Sequence, residues 1–249
     1  MPCVSVETAE ELAALAAAGR VVADALHAMR RAARPGVSTA ELDDVAARVL
    51  RRAGARSGPQ LDYGFPGVTC ISVNDEAVHG IPGPRRLDDG DLVKLDVTVE
   101  LDGFYADACI PVSIGRSRPA TGRLVASARH ALTRALEIAR TGTPLNEIGA
   151  VIEHTVHDRG HAVCGALSGH GIGRRIHEPP EVPNRFDPGL TQRLTDGLVM
   201  TIEPIVSAGS GEVRVARDGW TIHTADGALS AHVEHTVVVR DGTPLILTA

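Results

Sequence analysis

The sequence predicts an α+β fold of two pseudo-symmetric halves, each adding two helices and a strand hairpin to one antiparallel sheet. Three observations carry this: four segments with helical periodicity, a hairpin signal between two apolar runs, and an offset at which the chain matches itself. The 249 residues, 43% of them apolar, can bury one ample core. The repeat favours one integrated domain over residues 1–249, with halves of roughly 8–116 and 117–249.

The first helix is expected in "TAEELAALAAAGRVVADALHAMRRA", where Thr8 and Glu11 fit a capping box, and the second in "VSTAELDDVAARVLRRAG", where Ser38 and Glu41 do. "GDLVKLDVTVELDGFYADACIPV" then reads as strand, turn and strand, because Asp102-Gly103 between apolar runs signals a two-residue type I′ loop. That loop sets Leu101 opposite Phe104, Thr98 opposite Asp107 and Asp96 opposite Cys109. Asp96 and Asp107 therefore share a face as diagonal neighbours, roughly 7 to 8 Å apart. Two further helices are read from "TGRLVASARHALTRALEIA" and "TPLNEIGAVIEHTVHDRG", the latter with Thr143 as N-cap and Pro144 at the first helical position.

In the self-match, Gly36, Glu41 and Gly54 fall on Gly142, Glu147 and Gly160, and one residue out of step Gly90 and Asp96 fall on Gly197 and Glu203. "GDLVKLD" thus matches "GLVMTIE", and Asp107 in "ADACIPV" corresponds to Glu234 in "VEHTVVV" across a longer loop. Two hairpins related by a pseudo-twofold would converge four carboxylates on the centre of one sheet.

Composition narrows the classes of function. Aromatics at 2% leave packing to Leu, Val, Ile and Ala. A net charge of −6 argues against a protein built to grip nucleic acid, with Arg30, Arg31, Arg34, Arg51 and Arg52 placed on solvated helix faces. Met1 to Glu11 contains acids and no long apolar core, and no run is expected to reach the length of a membrane span. A cytoplasmic home is expected, and there Cys3, Cys70, Cys109 and Cys164, without a CxxC pair, are reduced thiols.

Asp is depleted from strands, and a buried carboxylate is costly unless paired, hydrogen-bonded or bound to metal. Four cannot all stay ionised in an apolar sheet without cations, and oxygen-rich sites select hard or borderline divalent ions. His170 in "SGHGIGRRIHEPPEVPN" is the candidate nitrogen donor, with Gly169, Gly171 and Gly173 permitting close backbone approach and His177 seven residues on. The glycines make no phosphate loop, lacking a Walker lysine and a strand-to-helix context, and HExxH is absent. His27, His130, His154, His157, His161, His223 and His232 are expected as surface or packing residues.

"VNDEAVHGIP", "LDVTVELDGFYAD", "GHGIGRRIHEPP", "TIEPIV" and "VEHTVVV", in this order and spacing, resemble the type I methionine aminopeptidases over essentially the whole chain. The resemblance implies the pita-bread (creatinase/aminopeptidase-like) fold, two halves around a curved antiparallel sheet. It implies a dinuclear site in which Asp107 and Glu234 bridge two divalent ions (Co, Mn, Fe or Zn), Asp96 completes one, and His170 with Glu203 completes the other. A metal-bridged hydroxide would attack the scissile carbonyl, Glu203 would shuttle protons, and His79 and His177 would contact the substrate amide. Tyr63, Phe65, Cys70, His79, Ile176 and Trp220 would line the methionine pocket, with Phe65 where tyrosine is common and Ile176 where phenylalanine is common.

Further departures are Ala108 and Cys109 in place of a frequent Thr-Ser pair, and Lys94 in place of a frequent asparagine. Strand alternation puts Lys94 on the ligand face, where it either pairs with Asp96 and weakens one metal or turns away. The implied activity is removal of N-terminal methionine from nascent proteins and peptides with a small second residue. The implied setting is a cytoplasmic monomer with transient ribosome association, no membrane and no specific nucleic acid. Two alternatives remain open. An Xaa-Pro aminopeptidase-like dinuclear peptidase is opposed by the "EHT" around Glu234, the compact length and the missing N-terminal domain. A non-catalytic pita-bread protein-binding module is opposed by the five filled ligand positions.

Overall fold

The computed structural model describes residues 6–249; Cys3 and the first residues of the segment inspected for a leader lie outside the described residues. The first half contains α1 (Ala9–Ala32), α2 (Thr39–Ala53), β1 (Arg56–Ser57), α3 (Gly58–Tyr63), β2 (Cys70–Val73), β3 (Glu76–Val78), β4 (Leu92–Leu101) and β5 (Phe104–Ser113). The second contains α4 (Pro119–Ile138), α5 (Leu145–His157), β6 (Ala162–Val163), β7 (Ser168–Gly171), β8 (Glu178–Pro183), β9 (Val199–Ile202) and β10 (Ile205–Ser207). It closes with β11 (Val213–Val215), β12 (Ile222–Thr224), β13 (Ser230–His232), β14 (Glu234–Val238) and β15 (Leu245–Ile246).

Both capping boxes form. Thr8 Oγ1 accepts from Glu11 N at 3.1 Å, and Ser38 Oγ accepts from Glu41 N at 3.2 Å, with each glutamate reaching back to the cap backbone. At α5 the cap differs from expectation. Pro144 is the N-cap, because the Thr143 hydroxyl donates instead to Ile138 O at 2.7 Å, at the end of α4. Against the expectation that no run reaches membrane-span length, α1 is long and apolar enough by length and composition. Its apolar side, including Leu15, Ala18, Val22 and Met29, is buried in the core.

The main sheet runs β1-β4-β5-β14-β9-β7-β8, with β2 also on β4 and β15 on β14. Asp102 and Gly103 take φ of 51° and 85°, as a type I′ loop requires, and the β4–β5 register places Asp96 opposite Cys109 and Thr98 opposite Asp107. The two hairpin-like pairs are β4–β5 and β9–β14, and their inner strands, β5 and β14, pair with each other. Between β9 and β14 the chain builds two small sheets, β13-β10-β6 and β11-β12-β3.

Alternation along the central strands sends Val93, Leu95, Val97, Val99, Ala106 and Ala108 toward Val22, Leu26, Met29 and Leu42 of α1 and α2. Met200, Ile202 and Val237 pack in the same way with Leu124, Ala128, Leu132, Ile148 and Ile152 of α4 and α5. Each half therefore has its own apolar core on the helical side, which leaves the opposite sheet face for polar residues.

Gly19, inside α1, lets the helix backbone lie against the C-terminal segment: a Cβ there would stand 2.2 Å from Leu247 O. Gly19→Ala should gain about 1 kcal/mol of helix propensity yet lose about 1–3 kcal/mol to overpacking. The expected net result is a lower urea midpoint with an unchanged slope.

Candidate metal centre

On the sheet face away from the helices, two rows of residues cross the central strands. Asp96 of β4 faces Cys109 of β5, which faces Glu234 of β14. His235 faces Ile202, so Glu203, just past the end of β9, comes beside Glu234. In the next row Thr98 faces Asp107, and Thr236 faces Thr201. The pseudo-symmetry read from the sequence thus brings the four carboxylates to the middle of the sheet.

Hydroxyl groups hold these carboxylates. Thr98 Oγ1 donates to Asp107 Oδ2 at 2.8 Å, Thr201 Oγ1 donates to Glu203 Oε1 at 2.8 Å, and Thr236 Oγ1 bonds both backbone groups of Asp107 at 2.8 Å. His170 reaches the same place from β7, its backbone N donating to Thr201 Oγ1 at 3.0 Å. Its Nδ1 lies 3.0 Å from Gly171 O, and since a carbonyl only accepts, Nδ1 carries the proton and Nε2 presents its lone pair to the site. The flanking glycines are steric necessities, because a Cβ on Gly171 would stand 2.3 Å from Pro179 O and one on Gly169 would stand 2.8 Å from Thr201 O.

The electrostatics are those of an acidic cluster without counter-ions. Burial, then the neighbouring carboxylates, pushes Asp96 and Glu234 well above the ordinary range, and burial raises Asp107. Glu203 is buried too, yet ends below its ordinary value because His232, His170 and Thr201 face its carboxylate. Asp107 Oδ1 is buried with no hydrogen-bond partner among the described residues. Asp107, His170 and Glu234 place one donor atom each within 4.8 Å of one another, and so do Glu203, His232 and Glu234. This mixed oxygen and nitrogen set, with an orphaned buried oxygen, fits divalent cations.

All the residues expected at the site line one cavity of about 300 Å³, with Asp96, Asp107, His170, Glu203 and Glu234 inside it and Tyr63, Phe65, Cys70, His79, Ile176, His177 and Trp220 around it. Phe65 meets Trp220 edge to face, with centroids 5.3 Å apart. Tyr63, 49% exposed, stands at the mouth with its hydroxyl 2.6 Å from His177 Nδ1. The His177 ring packs 4.2 Å from that of His170, and desolvation followed by that neighbour brings its pKa to about 4. Burial lowers His79 as well, whose backbone takes φ of 58° after β3. Cys70, Cys109 and Cys164 are buried free thiols pushed up by desolvation, Cys164 to about 12.

His232 corrects the sequence reading, and Lys94 takes one of the two courses it left open. His232, expected at the surface or in packing, is 2% exposed and stands inside the cavity. The signal was its position two residues before Glu234, which strand alternation turns to the same side. Lys94 shares the face of Asp96 but does not pair with it: Nζ donates to Asn74 O at 2.8 Å, in the turn between β2 and β3. The lysine is 1% exposed, and burial brings its pKa down to about 7. His223 also proves structural, its Nδ1 2.9 Å from Asp75 Oδ2.

Residues 13–241 match metallopeptidase family M24. The chain is 42% identical to "Methionine aminopeptidase 2" of Bacillus subtilis over 241 residues, covering 96% of this chain and 97% of the relative. It is 35% identical to a Helicobacter pylori methionine aminopeptidase, with 98% of each chain covered. The crystal structure of methionine aminopeptidase from Rickettsia prowazekii superposes with a TM-score of 0.95 at 33% identity, covering 99% of this chain and 100% of that one. A prolidase from Pyrococcus furiosus shares the fold at a TM-score of 0.80 and 21% identity, and this chain covers 65% of it.

Lys94 predicts a pH dependence of stability. Its folded pKa of about 7 lies below the ordinary 10.5, so the unfolded state binds more protons between those values and stability rises with pH there. The contribution is at most about 1.4 kcal/mol per pH unit and vanishes below pH ~7. Lys94→Met should remove that slope, since Asn74 O keeps Ser230 N and Oγ as donors, both at 3.1 Å. Urea denaturation of the metal-free proteins from pH 7 to 9.5 checks this.

Proposed function

Because the chain belongs to metallopeptidase family M24, and within it to the methionine aminopeptidases, we propose that it hydrolyses the first peptide bond of polypeptides beginning with methionine. The observation that carries this reading is the acidic floor beside apolar walls: four carboxylates and His170 in one cavity with Tyr63, Phe65, Cys70, Ile176 and Trp220.

Asp96, Asp107, His170, Glu203 and Glu234 would hold the divalent ions, with Co, Mn, Fe and Zn all suited to such donors. Divalent ions bound there would lower the pKa of water toward about 7, supplying a nucleophile at neutral pH, and would polarise the scissile carbonyl. The remaining work falls to the chain itself. Phe65, Cys70, Ile176 and Trp220 enclose an unbranched apolar side chain, and the acidic floor receives the free amine. His79 and His177, both neutral at pH 7, offer ring N–H groups to the scissile amide. Glu203 is held at Oε1 by Thr201, leaving Oε2 to take a proton from the attacking water and deliver it to the departing amine nitrogen.

Crowding by the His79 and His177 segments favours a small second residue. Nascent chains in the cytoplasm are the fitting substrates, met by a monomer in transient association with the ribosome, with no membrane and no specific nucleic acid required. Prolidase-like specificity is not favoured, because the likeness to prolidases is one of fold at 21% identity.

Chelation should abolish activity and added divalent metal should restore it; full turnover by demonstrably metal-free protein would refute the mechanism. Substrate choice is tested by kcat/KM on Met-Xaa-Ser and Yaa-Ala-Ser peptides. Met should exceed Leu and Val at the first position by roughly 10- to 200-fold per misplaced methylene, and acetylated peptides should be poor substrates. Equal cleavage of Met, Leu, Val and Lys would leave only a general aminopeptidase.

A further inference from the structure

Among the histidines and carboxylates lining the cavity, His232 is the one that the proposed mechanism does not use. It ends β13, opposite Ile205 of β10, and the chain then enters β14 at Glu234. This geometry aims its ring between two carboxylates: Nε2 lies 3.5 Å from Glu203 Oε2 and 3.6 Å from Glu234 Oε2. Neither ring nitrogen has a hydrogen-bond partner among the described residues, although the side chain is 2% exposed. A buried imidazole with both nitrogens unpaired is costly unless something else engages it. Glu203 Oε1 is occupied by the Thr201 hydroxyl, so the oxygen turned to His232 is the free one.

We propose that His232 is a further metal ligand, its Nε2 completing a Glu203–His232–Glu234 donor set beside the Asp107–His170–Glu234 set. Glu234 belongs to both sets, so two ions sharing it would each carry one imidazole, His170 on one and His232 on the other. The assignment rests on the reading of the cavity as a divalent-metal centre and adds a sixth donor to the five assigned above. A second nitrogen shifts preference toward zinc, cobalt and nickel relative to manganese, because imidazole suits the former and oxygen donors the latter.

The alternative role is that of a protonated counter-charge to the two carboxylates, and it predicts the opposite response. A ligand, when removed, weakens metal binding; a competing cation, when removed, strengthens it. The test titrates metal-free protein with Co²⁺ by calorimetry and visible absorption, for the native chain and His232→Gln. The proposal expects one of two binding steps to weaken by about tenfold or more, with altered cobalt bands, while the other step is unchanged. Unaltered or tighter binding at both steps overturns it.

A second measurement needs no variant. In ¹¹³Cd spectra of the native protein labelled with ¹⁵N-histidine, two cadmium signals, each split by one nitrogen, support the assignment. A single nitrogen-coupled signal beside an uncoupled one overturns it while leaving the metal centre intact. Failure of the chain to bind metal at all would overturn both readings.

Discussion

The rest of the structure answers to one constraint: carboxylates of like charge are buried side by side in the middle of a sheet. Asp96, Asp107 and Glu234 are each pushed toward the protonated form by burial, and for Asp96 and Glu234 the neighbouring carboxylates add to it. The sheet tolerates the cluster because its other face is committed to two apolar cores, one under α1 and α2 and one under α4 and α5. Threonines at 98, 201 and 236 sit in the adjoining row and orient the acids without adding charge. The ammonium of Lys94, on the same face, is turned aside to Asn74 and leaves the acids to other partners.

Above the acids the cavity changes character. Phe65 and Trp220 meet edge to face, Ile176 is buried, and the polar groups near the mouth are the Tyr63 hydroxyl and the neutral ring of His177. In the proposed reading this division would sort a substrate along its length, with an apolar side chain at the walls, an amine at the floor and the amide between two histidines. Phe65 in place of a tyrosine removes a hydroxyl that would need a partner at a buried position.

Much of this was legible in the sequence, for reasons that can be stated. Asp102-Gly103 dictated a register, and the register fixed which residues share a face with Asp96. The repeat named Glu203 and Glu234 because the second half solves the same packing problem as the first. Capping at Thr8 and Ser38 is a local matter and was read correctly, whereas Thr143 was misread because its hydroxyl is claimed by Ile138 O, a contact made by the tight link between α4 and α5. His232 and the direction of Lys94 escaped for a related reason. Strand alternation gives the side of the sheet, but the end point of a long or unpaired side chain depends on the third element that packs there, β13 with Glu203 in one case and the Asn74 turn in the other.

The two halves meet in the main sheet along β5 and β14, where Glu234 faces Cys109 and His235 faces Ala108, a short run of pairing for so wide a sheet. The proposed ligands come from both sides of that line, Asp96 and Asp107 from one and His170, Glu203 and Glu234 from the other. Ions bound by them would therefore act as a clasp across a seam. Binding to the closed form alone is worth about 2.7 kcal/mol at a free ion concentration a hundred times Kd. Without ions, repulsion among the acids would act across the same seam. Metal supply would then bear on the stability of the chain as well as on its turnover.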